Sequence, residues 1–305
     1  MRVVIIGSGN MGAGIAAIFL AFNHDVIVLG RDRQKIEARL PGIRTLSSSI
    51  NDDEKQERGS LTAGTIEGWS DWADTQLVIE TISERLAIKQ ALFAELARRV
   101  PESVPIGTNS SGFGIDEIAA GLDTTARMLN VHYSMPAHMV PMVEVALGSQ
   151  TDPLVGERVC RLLETTGKKT TLIRKYIPGL LISRLQHALM REALSLVDQG
   201  VVTPQDIDAA VRYGFGFRYA AAGPIAQKEM SGWDTHAVSA AAVYPTLSNA
   251  TTPPKCITDL VGAGRIGMNS GAGFANWTED QVAEFKRKYN ERLQAAFQVL
   301  TVAPD

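Results

Sequence analysis

Cysteine is nearly absent from this chain. Cys160 and Cys256 are the only two, and neither sits in C-x-x-C spacing or beside a histidine cluster. That excludes a disulfide framework and a zinc site of the usual spacing, so no metal is expected. Two reduced, buried thiols fit a cytoplasmic protein. An excess of charge is also lacking: 30 basic residues face 33 acidic ones, for a net charge of −3. Without a basic tract there is no footprint for nucleic acid. Apolar runs stop well short of membrane-spanning length, so no membrane partner is expected. The first strand is placed from Arg2, so no signal peptide is expected. What remains is the composition of an ordinary soluble protein, and 305 residues suit one large or two modest domains.

What the chain has is glycine in a particular place. Val3-Val4-Ile5-Ile6 runs directly into Gly7-Ser8-Gly9-Asn10-Met11-Gly12, a G-x-G-x-x-G loop. In a strand–turn–helix context, Gly7 permits the tight turn and Gly9 lets the backbone approach a pyrophosphate. Gly12 lets the helix lie close on the sheet. A helix over 11–22 would point its first N–H groups, at Asn10 and Met11, toward the phosphates. A second apolar strand over 26–29 completes a βαβ unit.

The first half continues this alternation. Strands are predicted over 3–6, 26–29, 77–80, 105–108 and 128–132, with an amphipathic helix over 87–98. The polar stretch 47–59 reads as a surface loop or a shortened helical excursion. The expected fold is α/β: a Rossmann-type, doubly wound, mostly parallel sheet followed by an all-helical second domain. The boundary is placed after Pro178-Gly179, giving a dinucleotide-binding domain over 1–178 and a helical substrate and dimerisation domain over 179–305. Helices are predicted over 180–199, 204–213 and 279–299, with a turn-rich loop over 243–254. The 180–199 helix carries apolar residues on more than one face, which predicts a homodimer.

Four further segments, in order, make the chain resemble the 3-hydroxyacyl-CoA dehydrogenase family over nearly its full length. They are Thr108-Asn109-Ser110-Ser111, Val131-His132-Tyr133 through Pro141-Met142-Val143-Glu144, Pro178-Gly179 through Arg184, and Gly262 through Gly273-Phe274. The resemblance implies an NAD(P)-dependent dehydrogenase in which His132 is the catalytic base and Glu144 orients it. Ser111 would help hold the substrate oxygen. Glu84 and Lys89 match a cofactor-side pair near the nicotinamide, and Asn109 lies on the cofactor side too. The residue types suit the chemistry: an imidazole can take the hydroxyl proton while a hydride leaves the carbon, and a carboxylate fixes its tautomer.

Three departures from the family bear on the details. Ser183 stands where the family usually has an Asn that assists the histidine, so its role is open. Around 44–70 the chain looks too short and too acidic, with Asp52-Asp53-Glu54, to grip the phosphates of CoA. This and Arg218-Tyr219 resemble the branch with L-gulonate 3-dehydrogenase (lambda-crystallin) and the pyridine-carboxylate dehydrogenase. That branch takes small polar acids, and Arg184, Arg218 and Lys228 are candidate carboxylate partners. The expected substrate is a small polar 3-hydroxy or 3-oxo acid. The alternatives are a short 3-hydroxyacyl-CoA, as in 3-hydroxybutyryl-CoA dehydrogenases, or a non-catalytic cofactor-binding or structural protein. A 3-hydroxyisobutyrate dehydrogenase type is disfavoured, because its glycine-rich lysine helix is missing. Finally, the second strand ends in Gly30-Arg31 where NAD enzymes usually place a carboxylate. Arg31 could pair with a 2′-phosphate, which favours NADP over NAD. Asp32 is the alternative partner, for the ribose of NAD.

Overall fold

The computed structural model describes residues 1–51 and 59–301. The acidic run Asp52-Asp53-Glu54, on which the argument against CoA partly rests, lies outside the described residues. The chain divides into two compact units, Met1–Arg184 and Leu185–Asp305.

The first unit is built on eight strands among the described residues: β1 (Arg2–Ile6), β2 (Asp25–Gly30), β3 (Leu61–Thr65), β4 (Thr75–Glu80), β5 (Ile106–Thr108), β6 (Met128–Tyr133), β7 (Met142–Leu147) and β8 (Lys169–Ile173). They form one sheet in the order β3-β2-β1-β4-β5-β6-β7-β8. All neighbours are parallel except β6 and β7, which run antiparallel. The chain order reverses between β1 and β4, where a doubly wound sheet opens its ligand crevice.

The helices of this unit are α1 (Asn10–Ala21), α2 (Arg33–Glu37), α3 (Leu40–Ile50), α4 (Leu86–Arg99), α5 (Ile115–Ile118) and α6 (Pro153–Glu164). Because side chains alternate along a strand, β1 feeds two cores. Val3 and Ile5 pack with Ile15, Phe19 and Leu163 on one face. Val4 and Ile6 pack with Phe93, Leu96 and Ile118 on the other. Burial on both faces is why the strand reads as an unbroken apolar run.

Three strands escaped prediction from the residue pattern. β3 (LTAGT) and β8 (KTTLI) carry too few apolar residues to announce themselves, since both lie toward the ends of the sheet. β7 returns from β6 after only eight residues, a connection too short for a parallel crossover. Of the stretch 47–59, read as a surface loop or a shortened helical excursion, the first four residues belong to α3, where Ile43 and Ser47, one helical turn apart, are buried. Cys160 is buried as expected, but Cys256 is only half-buried; both are free thiols.

A seventh helix, α7 (Leu180–Asp198), begins in the first unit and continues into the second. The rest of the second unit is helical: α8 (Pro204–Ala209), α9 (Gly216–Tyr219), α10 (Pro224–Ser231), α11 (Trp233–Val243), α12 (Lys255–Gly262) and α13 (Glu279–Thr301). Thr203 caps α8 in a reciprocal box with Asp206. The expected helix over 204–213 widens into a π-helical stretch at Ala210–Phe215. Among the described residues of this unit, Ala193 is the only buried hydrophobic side chain. Tyr213, Phe217, Met230 and Val238 are each more than 70% exposed. No helix among the described residues is long and apolar enough to cross a membrane.

The glycine loop is a tight junction in the first unit. Gly7 adopts φ +108°, and a Cβ on Gly12 would stand 2.1 Å from the Gly7 carbonyl oxygen. Gly12→Ala therefore forces α1 off the loop. We expect a loss of at least about 1–3 kcal/mol, typical of overpacking, read as a lowered midpoint in thermal or urea unfolding.

Candidate active site

Two clusters of polar side chains lie at the carboxyl ends of the parallel strands. The first is the glycine loop with the start of α1. Gly9 is the N-cap, no side chain caps the helix, and its first turn holds no acidic residue. A Cβ on Gly9 would meet nothing within 4 Å. Gly9 and Asn10 are exposed and Met11 is half-buried. An uncapped helix N-terminus fronted by an open glycine is the geometry that a pyrophosphate requires, so these residues fit a dinucleotide.

The end of β2 departs from expectation. A Cβ on Gly30 would come within 2.7 Å of Ile36 Cδ1. Packing of α2 against the strand thus accounts for the missing side chain, with no reference to a 2′-phosphate. Arg31 is exposed. Asp32 is the N-cap of α2, its Oδ1 accepting from the Lys35 N–H at 3.2 Å.

Beside the loop, the ends of β4 and β5 hold a buried ionic network. Lys89 Nζ donates to Glu80 Oε1 (2.8 Å) and Oε2 (3.0 Å), and lies 3.2 Å from Glu84 Oε2. Lys89 and Glu80 are fully buried, at 1% and 0% exposure. The Thr108 hydroxyl and the Ile82 N–H donate to the same Glu80 carboxylate, each at 2.6 Å. Glu84 Oε1 accepts from the Ser110 hydroxyl and from the Gly112 N–H (3.0 Å). Burial works against the Glu84 charge. The hydrogen bond from Ser110 and the nearby Lys89 ammonium outweigh it and hold the carboxyl below its usual range. Lys89, expected near the nicotinamide, is thus sealed beneath Glu84. Glu80, Thr108 and Ser110 were missed as site residues. The signal for Glu80 was an acidic residue closing an otherwise apolar strand.

The second cluster lies across β6 and β7. Antiparallel register sets His132 directly opposite Glu144, and His132 Nδ1 is 2.8 Å from Glu144 Oε2. Glu144 is fully buried. Its other oxygen, Oε1, accepts the N–H groups of Leu181 (2.7 Å) and Ile182 (2.9 Å), in the first turn of α7. Burial alone would raise its pKa. Hydrogen bonds from His132, Ile182 and Leu181 reverse that and keep it below the ordinary carboxylate range. Asn109 Oδ1 accepts the Tyr133 N–H at 2.9 Å, tying the end of β5 to the strand that carries His132. Ser111 is exposed and Ser183 half-buried. Arg184 is exposed and donates to the Pro178 carbonyl at 3.3 Å, whereas Arg218 and Lys228 belong to the second unit. Among the described residues, no group of three or more His, Cys, Asp and Glu is gathered as a metal site.

Residues 2–176 match the NAD binding domain of the 3-hydroxyacyl-CoA dehydrogenases, and 179–277 match their C-terminal domain. The chain belongs to the 3-hydroxyacyl-CoA dehydrogenase family and is a dehydrogenase acting on CH–OH groups. Among curated proteins it is similar to 5-formyl-3-hydroxy-2-methylpyridine 4-carboxylate 5-dehydrogenase of Mesorhizobium japonicum, 28% identical over 98% of both chains. It is also similar to 3-hydroxyadipyl-CoA dehydrogenase of Escherichia coli, 32% identical over 92% of this chain but only 60% of that one. A crystal structure of the pyridine-carboxylic acid enzyme superposes with a TM-score of 0.90, at 26% identity, over 99% of this chain and 98% of the other. That enzyme is described as an NAD+ dependent dismutase.

The expectation of NADP is overturned by these matches, which point to NAD. The bare Gly30 that suggested NADP lies under Ile36, whose Cδ1 a Cβ there would meet at 2.7 Å.

Removing Lys89 should be costly. Lys89→Met strands the Glu80 carboxylate in the core without its counter-ion, a change worth about 3–5 kcal/mol. Urea unfolding should show that loss, and the double variant Glu80→Gln, Lys89→Met should recover most of it.

Proposed function

We propose that this dehydrogenase transfers a hydride between NAD and the C3 hydroxyl or oxo carbon of a small polar 3-hydroxy acid, with His132 as general base. The observation that carries this reading is the His132–Glu144 pair. Glu144 is held ionised, and an ionised carboxylate is an acceptor only. His132 Nδ1 therefore bears the proton, and in the neutral imidazole Nε2 offers its lone pair to the substrate hydroxyl. When Nε2 takes that proton, the imidazolium faces a carboxylate already 2.8 Å away, with no reorganisation needed. Ser111 is assigned to the substrate oxygen, and Ser183 to the neighbouring place that the family gives to Asn. Neither the Gly112 nor the Phe113 N–H is free for that task, since they are bonded to Glu84 and Ser110.

NAD, when bound, supplies the hydride acceptor or donor. Gly7, Gly9, Asn10, Met11 and Gly12 are the residues that would hold its pyrophosphate, and Glu84, with Asn109, lies on the nicotinamide side. Asp32 is the carboxylate available to the ribose. Lys89 acts on this side only through Glu84, because its ammonium is buried.

The small-acid reading draws support from the relative that matches end to end and whose name carries a carboxylate and no CoA. A short 3-hydroxyacyl-CoA is the second reading, favoured by the similarity to 3-hydroxyadipyl-CoA dehydrogenase. Steady-state kinetics with NAD on 3-hydroxybutyrate, other free 3-hydroxy acids and 3-hydroxybutyryl-CoA separates the two. A higher kcat/KM for the thioester than for every free acid would reject the small-acid assignment. In the same assay, His132→Gln should lower kcat by about 10²–10⁴-fold with NAD affinity nearly unchanged. A variant near wild-type kcat would remove His132 from the role.

The second unit adds a quaternary expectation. Its helices expose tyrosine, phenylalanine and methionine side chains and bury almost none, so the unit by itself leaves most of its apolar surface in water. We assign that surface to a homodimer. Sedimentation velocity at micromolar concentration should give about twice the 32.9 kDa chain mass, and a lone monomer would refute it.

A further inference from the structure

The segment 134–141 joins the strand bearing His132 to the strand bearing Glu144, and one lysine holds it. Lys168, the residue before β8, is 93% buried, with 7% of its surface exposed. Its Nζ donates to the carbonyls of Ala137 (2.8 Å) and Val140 (2.7 Å). No carboxylate lies within ion-pair distance of it among the described residues. Burial pushes its pKa down to about 8. His138, in the same segment, is the titratable neighbour that feels it: burial and the Lys168 charge together lower the His138 pKa and favour its neutral form. An ammonium taken out of water without a counter-ion is costly to the fold, and its two carbonyl bonds, charge-assisted when it is protonated, are the only direct offset.

Those bonds act at a sensitive place. The β6–β7 ladder ends at Tyr133 opposite Val143, one residue beyond the His132–Glu144 pair. The placement of that pair therefore depends on how the segment beyond the ladder is held. The same segment touches the cofactor helix: Ala137 is buried, and a Cβ on Gly14 of α1 would lie 3.2 Å from Ala137 Cβ. The backbone N–H of Lys169 adds a third tie, to the Pro141 carbonyl at 2.9 Å. Segment 134–141 is thus the mechanical link between α1, which addresses the nucleotide, and the strands that carry the imidazole and its carboxylate.

We propose that Lys168 is a positioning residue for the dehydrogenase reaction. By clamping the Ala137 and Val140 carbonyls it fixes His132–Glu144 relative to α1. It touches neither substrate nor cofactor. The inference rests on His132 being the base, so the two are tested together. Hydride and proton transfer tolerate little misplacement, with about a hundredfold in rate at stake per ångström.

The test compares Lys168→Met with wild type, with His132→Gln, and with Lys169→Met, a change at an exposed neighbour. Two quantities are read for folded protein: kcat against the KM for NAD, and the downfield proton resonance of the imidazole Nδ1–H. That resonance is assigned by its disappearance in His132→Gln. For Lys168→Met we expect kcat to fall about tenfold to a hundredfold, with the KM for NAD within twofold of wild type. The resonance should shift upfield or broaden, and Lys169→Met should match wild type in both. A Lys168→Met protein that melts earlier yet keeps wild-type kcat and an unchanged resonance would reduce Lys168 to a purely structural residue and overturn the proposal. Should Lys168→Met not fold, Lys168→Gln, a shorter neutral donor, replaces it, with the same expected losses and the same overturning result. If His132→Gln itself retains wild-type kcat, the assignment of the base fails. If His132→Gln is inactive while the Lys168 variant is unaffected, only the Lys168 inference fails.

Discussion

The Glu144 carboxylate is the point on which the candidate site depends. One oxygen faces the imidazole of His132, and the other accepts the N–H groups of Leu181 and Ile182 in the first turn of α7. A fully buried carboxylate can stay ionised only if its lone pairs are used, and here three donors use them. Two of those donors are helix N-terminal amides, which have no partner inside their own helix and carry its positive dipole end. The group that orients the histidine is therefore also the cap of the helix that continues into the second unit. Neutralising it would disturb the tautomer of His132 and the start of α7 at once.

The second buried carboxylate, Glu80, follows the same logic with a different donor set. Lys89, Thr108 and the Ile82 amide surround it, and the same lysine reaches Glu84. Through Ser110 and the Gly112 amide, Glu84 shapes the turn that carries Ser111. The two networks meet at Asn109, whose amide oxygen accepts from Tyr133, the residue after His132. The turn that carries Ser111 and the imidazole of His132 are each held by buried, satisfied polar groups, which suits chemistry that needs preorganised donors.

Much of this was legible in the residues themselves. The β1–loop–α1 unit stood out because glycine spacing and an unbroken apolar run are local signals, and five strands and the main helices followed from periodicity. β3 and β8 did not, because strands toward the sheet ends need fewer apolar residues, and β7 was noticed as a motif but not as a strand. Pairing His132 with Glu144 came from resemblance to a family and not from spacing. Twelve residues separate the two, and no sequence rule sets that distance.

The sequence by itself determined the doubly wound fold and the dinucleotide loop, because both are written in short-range patterns of glycine and apolar residues, and the family through an ordered set of short motifs. Tertiary structure alone decided which charges meet. Strand register set His132 opposite Glu144, and the fold packed Gly30 against Ile36. Burial pairs Lys89 with both Glu80 and Glu84, and sets Lys168 on the carbonyls of Ala137 and Val140. The physical reason is that a side chain's chemistry depends on the dielectric and the partners around it. Residues 9 to 38 positions apart become partners only once the sheet has formed.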